Sequence, residues 1–321
     1  MTDHPVTFRR RTVIASALLA ATAPFAARAG DAEKLRIGYQ KSSTLAIWLK
    51  SKGVLEKALA PLGVVPDWHE FTSGLPLLEA LNVGALDVTA DVADAVPPFA
   101  LAAGARITYF ATEAPSPTAQ AIVVKADSPI RTLAQLRGHK VAFAKGAGAH
   151  YLLVAALRSA GLTLADIEPA YLSPADGRAA FENDSVAAWV IWDPFLAAVQ
   201  RQSGARVLRD GQGLSDYRRF YMASTTYAKR RNDVLSAVFA ELRGAGTWIK
   251  ANPAEAAQWY APVIGLDAAT VEAANARRSY AVQGLDTASL AEQQRIADAF
   301  TGAGVLPRKV AIANAPVWRP A

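Results

Sequence analysis

Strand-like and helix-like stretches alternate from residue 34 to residue 192, and a mostly helical pattern follows from Asp233 onward. This rhythm constrains the fold most, because alternating strands and helices call for sheets with helices packed on their faces. Lys34-Leu35-Arg36-Ile37-Gly38-Tyr39 has period two and reads as a strand. Ser42-Ser43-Thr44 then precedes apolar residues at helical spacing, an N-cap cluster opening an amphipathic helix. Residues 64–71 read as a strand, 75–83 as a helix ended by Gly84, and 86–90 as a short strand. Asp94 is placed to cap the next helix, whose first turn holds Pro97 and Pro98. Residues 106–111 and 120–124 complete a first unit, expected to be a mixed, largely parallel sheet. The rhythm then restarts, with strands at 140–144, 167–172 and 187–192 and helices after Gly146 and Gly177. Two such units without a flexible tether suggest crossovers that close a cleft between them.

Composition removes several function classes. The chain has 321 residues and no Cys, so it has no disulfide, thiolate metal site or cysteine nucleophile. With 52% hydrophobic and 19% charged residues it can bury a core without staples. The formal charge is +6, but half of it sits in the first 29 residues, where Arg9, Arg10, Arg11 and Arg28 face only Asp3. The remainder carries no long basic run, so no nucleic-acid partner is expected. His69 and His139 are isolated, and neither a metal nor a cofactor is expected.

Residues 1–29 read as an export signal. Arg9-Arg10-Arg11 form a positive start, an apolar stretch runs from Val13 to Ala27, and Ala27-Arg28-Ala29 offers small residues for cleavage. The apolar stretch is shorter than the roughly 20 residues a spanning helix needs. Arg10-Arg11-Thr12-Val13-Ile14 also fits a twin-arginine pattern, and an ordinary secretory signal remains the alternative. The expected mature protein is periplasmic and begins near Gly30.

Three segments share one construction: a strand, a short polar or glycine-rich loop, then a helix start. They are Gln40-Lys41-Ser42-Ser43-Thr44, Ala93-Asp94-Ala95 and Lys145-Gly146-Ala147-Gly148-Ala149-His150. Open α/β sheets bind ligands beyond the carboxyl ends of their strands. A helix start also presents unpaired amides and a partial positive charge to an anion. The same loops would equally serve as ordinary capped helices. Trp189 and Trp192 lie on opposite faces of one strand, and Trp192, before Asp193-Pro194, is the better cleft candidate. Asp193 reads as a structural cap. Arg277 and Arg278 could pair with an anion, although nothing around them marks that role. No Gly-x-Ser-x-Gly elbow, P-loop or His-Glu-x-x-His is present, so an enzyme lacks a candidate nucleophile or base.

Together these segments make the chain resemble the periplasmic aliphatic sulfonate-binding proteins of ABC importers, within a group that also takes taurine, nitrate and pyrimidine precursors. The resemblance rests on Arg36-Ile37-Gly38-Tyr39-Gln40-Lys41, on Leu77-Leu78-Glu79-Ala80-Leu81-Asn82-Val83-Gly84, and on Ala188-Trp189-Val190-Ile191-Trp192-Asp193-Pro194. Asp127-Ser128-Pro129-Ile130 and residues 293–300 extend it over nearly all of the mature chain. It implies a type II periplasmic-binding-protein fold, two α/β lobes with a ligand cleft between them. Residues 30–121 and 222–321 would form a discontinuous first lobe, and residues 122–221 the second. The function it implies is solute binding rather than catalysis. The chain would be a monomer that captures an organosulfonate anion and delivers it through transient contact with an inner-membrane ABC permease. The alternatives are the same fold with taurine, nitrate or a pyrimidine precursor, or a sulfur-compound lyase or hydrolase. Related sulfinate-cleaving enzymes use a cysteine, which this chain lacks.

Carried over by position, the ligand loops fall on Gln40, Lys41, Ser42, Ser43 and Thr44, on Asp94 and Ala95, on Lys145, Gly146, Ala147, Gly148 and His150, and on Trp192 and Asp193. Departures from the family pattern include Ala93 for a glycine, Ser42 for a glycine, and Ala147 for a serine, which removes a hydroxyl donor. Trp192, Phe195 and Tyr221 are candidates for an apolar wall. A sulfonate carries no proton at neutral pH and needs donors, so an ionised carboxylate in contact would repel it. Asp94 is therefore expected to cap its helix rather than touch the anion.

Overall fold

The computed structural model describes residues 32–320, and the expected leader lies outside the described residues. The chain runs through β1 (Glu33–Gln40), α1 (Thr44–Lys52), α2 (Val54–Leu59), β2 (Val64–Phe71), α3 (Gly74–Asn82), β3 (Val88–Thr89), β4 (Val92–Ala93), α4 (Val96–Ala102) and β5 (Ile107–Glu113). It continues through β6 (Gln120–Val124), β7 (Lys140–Phe143), α5 (Gly148–Ser159), β8 (Glu168–Tyr171), α6 (Pro174–Glu182), β9 (Ala188–Trp192), α7 (Phe195–Ser203) and β10 (Arg206–Asp210). It ends with β11 (Arg219–Ser224), α8 (Thr225–Arg230), α9 (Asn232–Ala251), α10 (Pro253–Ile264), α11 (Ala268–Arg277), β12 (Val282–Gln283) and α12 (Thr287–Gly302).

These elements build two sheets. The first has seven strands in the order β12-β5-β11-β3-β1-β2, with β4 paired to β11 off that path. The second has five, in the order β10-β6-β9-β7-β8. Both are mixed rather than largely parallel. β1 pairs in parallel with β2 and β3, but β11 runs antiparallel to β3, β4 and β5. The reason is connectivity: β11 enters the first sheet from a return crossover, opposite in direction to strands fed by helices. In the second sheet β7 pairs in parallel with β8 and β9, while β6 opposes β9 and β10. The sequence rhythm overlooks β10, β11 and β12: no helix separates β10 from β11, and β12 is only two residues long.

The central strands are apolar on both faces, as helix-covered strands should be. All residues of β5, β6 and β9 are buried. One core cluster fills the space around both sheets, including Leu77, Tyr109, Ile122, Val141 and Trp189. A second covers the other face of the first sheet, where Leu35 and Phe110 meet Leu45, Leu55 and the buried stripe of α9. Each fully buried Leu or Phe contributes about 1.5–3 kcal/mol. Trp189 and Trp192 both join the first of these clusters, where only one of the two tryptophans was expected.

Two crossovers join the sheets, residues 114–119 and 211–218, and they are hydrogen-bonded to each other. Ser116 N donates to Asp216 O at 2.9 Å and Gly211 N to Pro117 O at 3.0 Å. A Cβ on Gly211 would stand 2.6 Å from Pro117 O, so only glycine lets the crossovers run this close. The C-terminal helices bridge the two halves at other points. Phe300 of α12 packs 5.2 Å from Phe99 of α4 and 5.2 Å from the His150 ring of α5, measured between centroids. On α11, Thr270 Oγ1 accepts from Arg201 Nε of α7 at 3.0 Å.

Candidate functional site

The carboxyl ends of β1, β4, β7 and β9 converge where the two sheets face each other. On the first sheet, Gln40 Nε2 donates to Asp91 O at 3.0 Å, and Ser43 Oγ accepts from Gln40 N at 3.1 Å. The expected hydroxyl cap of α1 is therefore absent: Ser43 is the N-cap residue but its oxygen serves β1 instead. Thr44 Oγ1 accepts from Tyr280 OH at 3.0 Å.

A buried ionic network floors this side. Asp91 Oδ2 accepts from Arg219 Nε at 2.6 Å, and Arg278 Nη2 stands 2.9 Å from Glu113 Oε2 and 3.5 Å from Asp91 Oδ2. Arg219 also donates to Tyr217 OH at 3.0 Å and to Ser42 Oγ at 3.3 Å. Tyr221 OH donates to Glu113 Oε1 at 2.8 Å. Burial pushes the Asp91 carboxyl up, but Arg219, Arg278 and the Ser43 hydroxyl outweigh it and hold it below its ordinary value. Two guanidiniums and two carboxylates cancel, which is how such charges tolerate burial.

Asp94 departs from expectation. The N-cap of α4 is Ala95, and no side chain caps that helix. Asp94 is fully buried, and its Oδ2 accepts from Arg218 N at 3.2 Å. Burial first, and Glu292 second, push its carboxyl up to about 8, so it keeps its proton at neutral pH. Its Oδ1 has no hydrogen-bond partner. Asp94 is thus a neutral acid able to donate, and the repulsion argued for an ionised carboxylate does not apply to it.

The second sheet supplies the opposing wall. Ala147 is the N-cap of α5, and Gly146 takes a positive φ of 73°. A Cβ on Gly148 would lie 2.6 Å from Tyr217 Cε2 and 3.2 Å from Ala93 Cβ, so this helix start sits directly against the first sheet's loops. Trp192 pairs with Gln120 across β9 and β6. Trp192 Nε1 and Gln120 Oε1 both lack partners although buried. Asp193, joined to Pro194 through a cis bond, accepts from Arg277 Nε at 2.7 Å, Arg277 Nη2 at 2.8 Å and Ala197 N at 3.0 Å. A residual cavity of about 10 Å³, room for one water, lies between Thr44, Asp193, Pro194, Asn275, Arg278 and Tyr280.

The structure brings together Gln40, Ser42, Ser43, Thr44, Asp94, Ala95, Gly146, Ala147, Gly148, Trp192 and Asp193. The others stand apart. Lys41 and Lys145 are exposed; Lys41 O accepts from Tyr260 OH, and Lys145 Nζ lies 5.6 Å from the Tyr171 ring. His150 is buried among Phe143, Tyr171 and Phe300, and its Nδ1 accepts from Gly146 N at 3.2 Å. Burial, then Lys145, pulls its imidazole down to about 4, so it is neutral and braces the loop. Tyr221 is fully buried in β11 with its hydroxyl tied to Glu113. Asp91, Tyr217, Arg219 and Gln120 were not singled out from sequence. The one signal was Arg218-Arg219 heading the apolar run Phe220-Tyr221-Met222-Ala223.

Buried donors without partners include Trp192 Nε1, Asn275 Nδ2 and Arg278 Nε. Buried polar groups are normally satisfied, and of these donors Asn275 and Arg278 line one small cavity with Thr44 and Asp193. Two mixed α/β sheets closing such a cleft, joined by two crossovers, define a periplasmic-binding-protein fold. The chain belongs to the NMT1/THI5-like family, whose model matches residues 76–256. A relative in Escherichia coli (strain K12) designated an aliphatic sulfonates-binding protein is 40% identical over 289 residues, covering 90% of this chain and 89% of its own. The crystal structure of the periplasmic aliphatic sulphonate binding protein SsuA from Escherichia coli matches with a TM-score of 0.82, at 40% identity, covering 90% of this chain and 93% of that one. The alkanesulfonate-binding protein SsuA from Xanthomonas axonopodis pv. citri, bound to MOPS, matches with a TM-score of 0.85, at 39% identity, covering 90% and 99%. All three are binding proteins, and none supports an enzyme reading.

Proposed function

We propose that this chain is the solute-binding component of an ABC importer, which captures aliphatic sulfonates between its two lobes and delivers them to an inner-membrane permease. The carrying observation is the 39% identity and 0.85 TM-score, over 99% of its length, to an alkanesulfonate-binding protein holding a sulfonate buffer. The cleft chemistry agrees. A sulfonate offers three acceptor oxygens and no donor, and the helix starts, Trp192, Asn275, Arg278 and protonated Asp94 offer donors. Each lobe is a body built on one sheet, divided close to residues 30–121 with 222–321 and 122–221. The two crossovers serve as the hinge. The ligand residues are Gln40, Ser42, Ser43, Thr44, Asp94, Gly146, Ala147, Gly148 and Trp192. The protein works as a periplasmic monomer, exported by residues 1–29 through a twin-arginine or ordinary secretory signal.

A thermal-shift screen of the exported protein tests this reading. Alkanesulfonates of graded length should raise the melting temperature, and the rise should grow with the tail. A rise with nitrate or a pyrimidine and none with any sulfonate would keep the fold and overturn the ligand.

A further inference from the structure

Among the described residues, six carboxylates are buried: Asp87, Asp91, Asp94, Glu113, Asp193 and Glu292. Five are each paired with an arginine. Asp87 meets Arg36 at 2.7 Å, Asp91 meets Arg219 at 2.6 Å, Glu113 meets Arg278 at 2.9 Å, Asp193 meets Arg277 at 2.7 Å, and Glu292 meets Arg295. The sixth, Asp94, has a backbone amide on one oxygen and keeps its proton. No buried carboxylate is left ionised and free to receive a cation.

Asp193 differs from the rest in position. It lines the residual cavity between the sheets, together with Thr44, Asn275 and Arg278. Its own side chain is 2% exposed, while Arg277, at the last turn of α11, is 24% exposed. Arg277 grips both Asp193 oxygens and also Gln200 Oε1 at 2.9 Å. Without it, Asp193 would keep the Ala197 amide alone, and its carboxyl, which burial already lifts to about 6 with Arg277 in place, would ionise against an incoming cation. We propose that Arg277 is a specificity-determining residue, which cancels Asp193 at the cleft wall and thereby excludes ligands whose tail ends in a cation. This rests on the cleft being a sulfonate site. An ammonium desolvated there without a carboxylate would lose its water shell for nothing, whereas a methyl group would gain from the transfer.

The test compares 1-propanesulfonate with taurine, which share a shape and differ in a terminal methyl or ammonium. Calorimetric affinities are measured at pH 8 for the exported protein, for Arg277→Gln, and for Arg277→Gln with Asp193→Asn. The native protein should prefer propanesulfonate by about 100-fold or more. Arg277→Gln should move the ratio toward taurine by about tenfold, and the double variant should restore it. The pair also ties α11 to the second sheet, so both affinities can fall together. An unmoved ratio would mean the pair is only a structural tie and would overturn the proposal. Native binding of taurine within threefold of propanesulfonate would overturn it too. Native binding of neither sulfonate would instead bring down the sulfonate reading itself, and this inference with it. If Arg277→Gln fails to fold, Asp193→Asn alone decides: it must not shift the ratio toward taurine.

Discussion

Asp94 shows how burial rewrites the chemistry of a single residue. In sequence it is a helix-capping carboxylate; in the structure it is an acid with a pKa of about 8. The linkage has a definite sign. Above its ordinary 3.8 the unfolded chain releases this proton while the native protein holds it, so the group costs stability as pH rises from about 4 to about 8. Asp94→Asn removes the titration and keeps an acceptor for Arg218 N. The variant should gain on the native protein by a few kcal/mol at pH 8, with the gain shrinking toward pH 4. Urea unfolding at the two pH values measures this, and a gain independent of pH would contradict the assignment. The ionic network was hidden from sequence for a plain reason. Asp91 and Arg219 are 128 residues apart and Glu113 and Arg278 are 165 apart, so no local spacing announces their pairing.

Among elements, legibility followed the helices. Strands that feed a helix, such as β1, β2, β7 and β9, leave an alternating or short apolar run, a loop and an apolar stripe, and all three can be read. β11 leaves only Arg219 to Ser224 between a crossover and α8, yet it sits in the middle of the first sheet and carries Arg219. The helix-start loops were legible because glycine and small polar residues cluster there. The physical use of Gly148 was not, since it depends on Tyr217 from a distant crossover. Gly148→Ala should force α5 away from Tyr217 and Ala93. The expected result is sulfonate affinity about tenfold lower or worse, with a stability loss of about 1–3 kcal/mol for the overpacked contact. Unchanged affinity would show that this contact does not hold the closed cleft.

For the molecule as a whole, the two sheets are tied at three places. The paired crossovers tie them through Gly211 and Ser116, α12 through Phe300, and α11 through Arg277 and Arg201. A ligand enclosed between them would lose contact with water on nearly all sides. Its tail burial should therefore register as a negative heat-capacity change, the firm sign of apolar surface removed from solvent. The most direct measurement is a calorimetric titration of the exported protein with pentanesulfonate at several temperatures, with nitrate alongside. The account predicts one saturable site near micromolar affinity, about −8 kcal/mol, a negative heat-capacity change, and no comparable heat with nitrate. No saturable binding of pentanesulfonate, or equal binding of nitrate, would contradict it.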